Sequence, residues 1–184
     1  MLETREYEVI GGRKYTMSPT NFFHYVASDN ISATLKAHLN KAEYQLTQDV
    51  CLIPAGFSSV KLFPDVAVFK KPCHITAKGA VTDIPLFVAE VISPSSRAKD
   101  TNVKLKLYAE IGVGEYWLAD PYGKYVTSYR LNRETESYDC VCMTQKLDEE
   151  DLNDMSPEER VEHSQVIKLD FLNAEININE IFAD

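Results

Sequence analysis

The chain has 184 residues, 45% of them hydrophobic, enough for one domain (1–184) with a sizeable core and too few for two full domains. A formal net charge of −9 argues against a protein that coats nucleic acid. No stretch approaches the ~20 apolar residues of a membrane span, and the opening MLETREYEVI lacks the basic-then-apolar pattern of a secretory signal, so a cytoplasmic location is expected. The four cysteines (Cys51, Cys73, Cys140, Cys142) include no C-x-x-C pair and read as reduced structural thiols. Cys140 and Cys142 alternate in a strand-like run, which predicts one shared face.

In chain order, YEVIGGRKYTM gives two strand-like runs around Gly11 and Gly12, an N-terminal hairpin. SPTNFFHYVASDNISATLKAHLNK predicts a helix of about five turns, with Ser18 as cap, Pro19 in the first turn and Phe22, Phe23, Val26, Ile31, Leu35 and Leu39 as apolar positions. Strands are expected in EYQLTQDVCLIP, FPDVAVF and LFVAEVI. A helix TNVKLKLYAEIG follows, ended by Gly112, and then the strands EYWLAD and YVTSYRL flank the turn PYGK. After the strand DCVCMTQ, the closing run QVIKLDFLNAEININEIF predicts two strands and a last helical turn. The order implies an α+β fold, a central mixed sheet flanked by helices, with a helical crossover between two buried strands.

Residues 148–162, DEEDLNDMSPEERVE, hold eight acids and one arginine, a net of −7, so the remainder sums to −2. The acidity is local and predicts an exposed, mobile excursion, with Ser156, Pro157 and Glu159 marking a helix start. Mimicry of nucleic acid is the less common use of such a run.

The chemistry begins with Glu90, which interrupts the apolar run Leu86–Ile92. A period of two puts Leu86, Val88 and Ile92 on its face, so its carboxylate needs a partner: a metal ion, a cation or a proton. Asp65 recurs in FPDVAVF, on a face with Ala67 and Phe69. If the two strands are neighbours the acids converge, and a divalent cation between them would relieve their repulsion. Laid out at 100° per residue, residues 100–111 form an apolar stripe of Val103, Leu107 and Ile111 that includes Lys104, with Asp100 near it and Lys106 and Glu110 on the polar arc. Lys104 needs an acidic partner, which Glu90 and Asp65 supply. A purely structural buried ion pair satisfies the same residues.

From YEVIGGRKYTMSP through FPDVAVF to EVISPSSRAKDTNVKLKLYAEIGVGEYWLADP, the sequence resembles the Uma-type putative restriction endonuclease family of the PD-(D/E)XK nuclease superfamily. The resemblance implies a restriction-endonuclease-like core and a Mg²⁺-dependent (or Mn²⁺-dependent) phosphodiesterase site, with Pro64 and Asp65 as the "PD" element and Glu90 as the second acid. The superfamily's usual lysine would lie two positions later, where this chain has Ile92. In the Uma-type family the lysine comes from the following helix, at the position of Lys104. Asp65, Glu90 and the Val91 carbonyl would then hold the metal, and Lys104 would orient water or stabilise the transition state. Glu8 matches a family position either as a further metal-side acid or as an exposed hairpin glutamate. His24 also matches one, but reads as a satisfied helix histidine outside the site. Ser93, Ser95, Ser96, Arg97 and Lys99 form a loop that binds backbone phosphates or is plain surface.

Three functions follow: a DNA endonuclease acting as a possible homodimer, a binding or assembly module that keeps only the ion pair, and a metal-dependent hydrolase of a small phosphate ester. No basic stripe beyond residues 97–106 supports extended duplex binding.

Overall fold

A computed structural model describes residues 7–17 and 20–182. The hairpin β1 (Tyr7–Ile10) and β2 (Arg13–Thr16) leads to helix α1 (Phe22–His38), then strands β3 (Tyr44–Thr47), β4 (Val66–Lys70) and β5 (Phe87–Val91). A π-helical segment, Lys99–Lys104, runs into α2 (Leu105–Ile111), followed by β6 (Glu115–Asp120), β7 (Tyr125–Asn132) and β8 (Ser137–Gln145). The chain closes through α3 (Glu149–Asp154), α4 (Pro157–Glu162), β9 (Val166–Leu169), β10 (Ala174–Asn177) and α5 (Ile178–Ile181). The expected α+β fold is present: β3-β4-β5-β6-β7-β8 form one mixed sheet, antiparallel except for the β5–β6 pair that the α2 crossover joins. Among the described residues no helix is long and apolar enough to cross a membrane.

Alternation along the central strands divides the sheet's side chains between two layers. On one face Val66, Val68, Phe87, Ala89, Val91 and Trp117 meet Ala27, Ile31 and Leu35 of α1 and the closing elements β9, β10 and α5. On the other, Ala67, Phe69, Val88, Ile92, Tyr116 and Leu118 meet Leu107, Tyr108 and Ile111 of α2, with Ile10 of the hairpin and Leu52, Val60 and Leu62. Paired backbone bonds between Val9 and Lys61 (2.7 and 2.8 Å) tie the hairpin to this second layer. The parity places Asp65 and Glu90 on the α2 face.

Several details differ from the sequence expectation. Ser18 and Pro19 lie outside the described residues, and the cap of α1 is Asn21, whose side chain accepts from the His24 amide. Phe22 and Phe23, expected in the apolar stripe, are 73% and 57% exposed, because the sheet covers the helix only from Ala27 onward. The 43–54 run forms only the short β3 and an isolated bridge at Leu52. A π turn, which widens the helix by one residue, opens what was expected as regular helix, and Val103 is only partly buried as a result. Gly112 ends α2 at φ +95°, a left-handed conformation that glycine adopts without steric cost. A bulge in the β7–β8 pairing sets Cys140 opposite Tyr129 and Cys142 opposite Ser128, so the two cysteines point to opposite faces instead of sharing one. Residues 148–162 form two short helices, α3 and α4, each opened by a capping box, the second on Ser156 and Glu159 as expected.

Candidate active site

Asp65 stands immediately before β4. Extending the β4–β5 register by one step from Val66↔Ala89 sets it opposite Glu90, and the Val91 amide donates to Asp65 Oδ2 at 2.6 Å. The antiparallel pairing therefore brings both acids to one end of the α2 face, where they line a cavity of about 200 Å³. Lys104, at the end of the π turn, reaches the same cavity. Its Nζ lies 2.8 Å from Glu90 Oε1, 2.8 Å from Glu8 Oε1 and 3.8 Å from Asp100 Oδ1, and the residue is 3% exposed. Tyr108, four residues on along the same helix face, donates its hydroxyl to Glu90 Oε1 at 2.7 Å.

Glu8 is buried, and both of its oxygens are engaged: Oε1 by Lys104 and the Phe63 amide, Oε2 by Lys99 at 2.6 Å. It thus anchors two lysines on the cavity wall. Ser93, Ser95, Ser96 and Lys99 line the cavity as well, while Arg97 turns outward to pair with Asp120 and to donate to the Tyr125 hydroxyl at 3.2 Å. The structure therefore gathers Asp65, Glu90, Lys104, Glu8, Ser93, Ser95 and Lys99 and leaves Arg97 at the rim.

Composition and spacing left aside two residues that line the cavity and one, Tyr108, that backs it through Glu90. His24, read from sequence as an ordinary helix histidine, places Nε2 3.2 Å from Asp65 Oδ2, while its Nδ1 is buried without a hydrogen-bond partner. Tyr108 shares a helix face with Lys104, and that spacing was its only sequence signal. Asp49, from the loop after β3, completes the wall.

The electrostatics are those of an acid-rich pocket. Five carboxylates (Glu8, Asp49, Asp65, Glu90, Asp100) face two lysines and one histidine. Burial pushes the Glu90 carboxyl well up; Lys104 opposes the shift, and Asp65, Asp100 and Glu8 reinforce it. For Lys104 burial favours the neutral amine, but Glu90, Glu8, Asp100 and Asp65 outweigh it and hold the ammonium charged, above its usual range. Burial would also raise Glu8, yet Lys104 and Lys99 keep it below the ordinary carboxylate value. Burial raises Asp100 as well, so the crowding of acids disfavours the ionised form most at Glu90 and Asp100.

A divalent cation fits this donor set. Both bonds to Asp65 fall on Oδ2 and both to Glu90 on Oε1, which leaves one oxygen of each acid for a ligand in the cavity. Among the described residues no three acids, histidines or cysteines are gathered to ligate one ion by themselves.

The Uma2 family, described as "Putative restriction endonuclease", matches residues 2–158. The crystal structure of a putative nuclease belonging to DUF820 from Anabaena variabilis ATCC 29413 shares the fold, with TM-score 0.69 and 13% identity over 96% of this chain and 89% of that one. Among curated proteins none matches. With most of its length matched, the chain belongs to the Uma2 putative restriction endonuclease family.

Proposed function

We propose that the protein is a metal-dependent nuclease that hydrolyses phosphodiester bonds in DNA, with Asp65, Glu90 and Lys104 at its centre. The observation that carries this reading is the cavity where two strand-borne acids on neighbouring strands and a buried helix lysine meet. Family membership supports a nuclease-type activity.

Asp65 and Glu90, with the Val91 carbonyl beside them, would hold Mg²⁺ or Mn²⁺. Bound there, the ion would supply charge neutralisation and an acidified water at the scissile phosphate. Lys104, kept charged by its acidic neighbours, places an ammonium where negative charge grows during attack on phosphorus. Tyr108 and Lys104 both donate to Glu90 Oε1 and would so leave its other oxygen to ligate the ion. Glu8 fixes Lys99 and Lys104 in the wall, and the serines of residues 93–96 offer hydroxyls to the phosphate backbone.

A structural ion pair in an assembly module is the competing reading, favoured by the net charge of −9 and by a Lys104–Glu90 contact that is complete without metal. Incubation of labelled single- and double-stranded DNA with Mg²⁺, Mn²⁺ or EDTA separates the two. Cleavage by wild type that needs the metal and disappears in Glu90→Ala is the expected result. No cleavage of any substrate would favour the assembly module.

A further inference from the structure

Beside the cavity, the start of α1 carries exposed aromatic rings that neither the core nor the proposed chemistry uses. Asn21 and His24, in the first turn of α1, line the cavity, and between them Phe22 and Phe23 are 73% and 57% exposed. Their ring centroids are 5.9 Å apart in an edge-to-face arrangement. Phe23 also lies 5.7 Å from the ring of Tyr122, which is 52% exposed. Tyr122 stands in the β6–β7 turn, whose Tyr122 and Gly123 amides donate to Asp120 Oδ1, and Asp120 pairs with Arg97 of the loop after β5. The Phe23–Tyr122 contact thus joins the start of α1 to the β6–β7 turn.

The charges around this bridge disfavour a purely electrostatic grip on a phosphate backbone. Lys99 is paired with Glu8 and Arg97 with Asp120, and the cavity holds more acids than bases. Neutral, flat groups suit the surface better. Bases in a duplex are stacked on each other and hide their faces, whereas unpaired bases can stack on aromatic side chains. We propose that Phe22, Phe23 and Tyr122 are a stacking platform for unpaired bases flanking the phosphodiester in the cavity, so that the substrate class is single-stranded nucleic acid or a single-stranded segment within a duplex. This rests on the nuclease reading above.

The test is anisotropy of a short fluorescein-labelled oligothymidylate, the same-length duplex and the same-length abasic oligonucleotide, all with Ca²⁺ in place of Mg²⁺. Wild type should bind the oligothymidylate about tenfold more tightly than either control, a loss per base typical of aromatic stacking. Phe23→Ala combined with Tyr122→Ala should reduce binding to the abasic level while the melting temperature stays unchanged, since both rings are exposed. Phe23→Trp should restore binding, and its emission should be quenched by the oligonucleotide, because the chain's one natural tryptophan, Trp117, is buried. Equal affinity for thymidylate and abasic probes, or full binding by the double variant, would overturn the proposal. So would gel filtration in which the double variant breaks a wild-type dimer, which would assign the rings to a second copy. Cleavage with no strand preference would sink the platform and spare the nuclease reading, whereas selective binding without cleavage in any metal would do the reverse.

Discussion

The two faces of the central sheet solve different problems with the same strands. Toward α1 the layer is mainly apolar, with Trp117 1% exposed and its ring 5.1 Å from Phe87 in an edge-to-face contact, against aliphatic residues of α1, β9, β10 and α5; its buried polar groups are the hydroxyls of Ser28, Ser32, Thr34, Ser128 and Thr144 and the Glu115 carboxylate, which accepts the Asp170 and Phe171 amides. Toward α2 the same strands bury Asp65 and Glu90, and the covering helix buries Lys104, Asp100 and the Tyr108 hydroxyl. Dispersion and burial need no partner of stated charge, so the first face contributes stability whatever the solution contains. The second contributes stability only while each charge has its counter-charge. One face carries the fold so that the other can hold an acid-rich cavity.

The comparison predicts effects of graded size. Trp117→Ala should cost about 3 to 5 kcal/mol in denaturant melts, by the same amount with EDTA or Mg²⁺, since it opens a cavity in the apolar layer. Lys104→Met should cost about 3 kcal/mol without metal, because it strands Glu90 and leaves Glu8 with Lys99 as its one remaining cation, and Mg²⁺ should recover a measurable part. A metal-independent loss there would show that the two faces are alike. Tyr108→Phe removes one hydrogen bond to Glu90 and should cost about 1 to 2 kcal/mol in the same melts, less in Mg²⁺. Replacing residues 148–162 with a short Gly/Ser linker should change stability by less than about 1 kcal/mol, since α3 buries no residue and residues 157–160 of α4 are exposed. A larger loss in thermal melts would make the acidic excursion integral to the core.

Much of the charged face was legible in the sequence. The period of two put Asp65 and Glu90 on one side of their strands, and the helical wheel turned Lys104 toward them, because both periodicities follow from local backbone geometry. Glycine at 112 marked the helix end for the same reason. What stayed hidden depends on contacts between distant segments. The π turn at Lys99–Lys104 ends on Lys104, which reaches Glu8 and Glu90, and no residue in KDTNVK announces it. His24 looked like an ordinary helix histidine because its partner, Asp65, is 41 positions away. The bulge that separates Cys140 from Cys142 is a property of the β7–β8 pairing and not of either strand. Glu8 carried two readings in sequence, and only the fold reveals that both of its oxygens meet lysines.

The central claim is that Lys104 serves chemistry as well as charge balance. Its most direct test is the rate of DNA cleavage by Lys104→Met, compared with wild type at a Mg²⁺ concentration where melts show both proteins folded. The account predicts that the variant keeps its fold and loses cleavage by about a hundredfold or more, the scale of removing one donor aimed at transition-state charge. Cleavage by a folded Lys104→Met within a few-fold of wild type would contradict it and leave Lys104 a structural counter-ion.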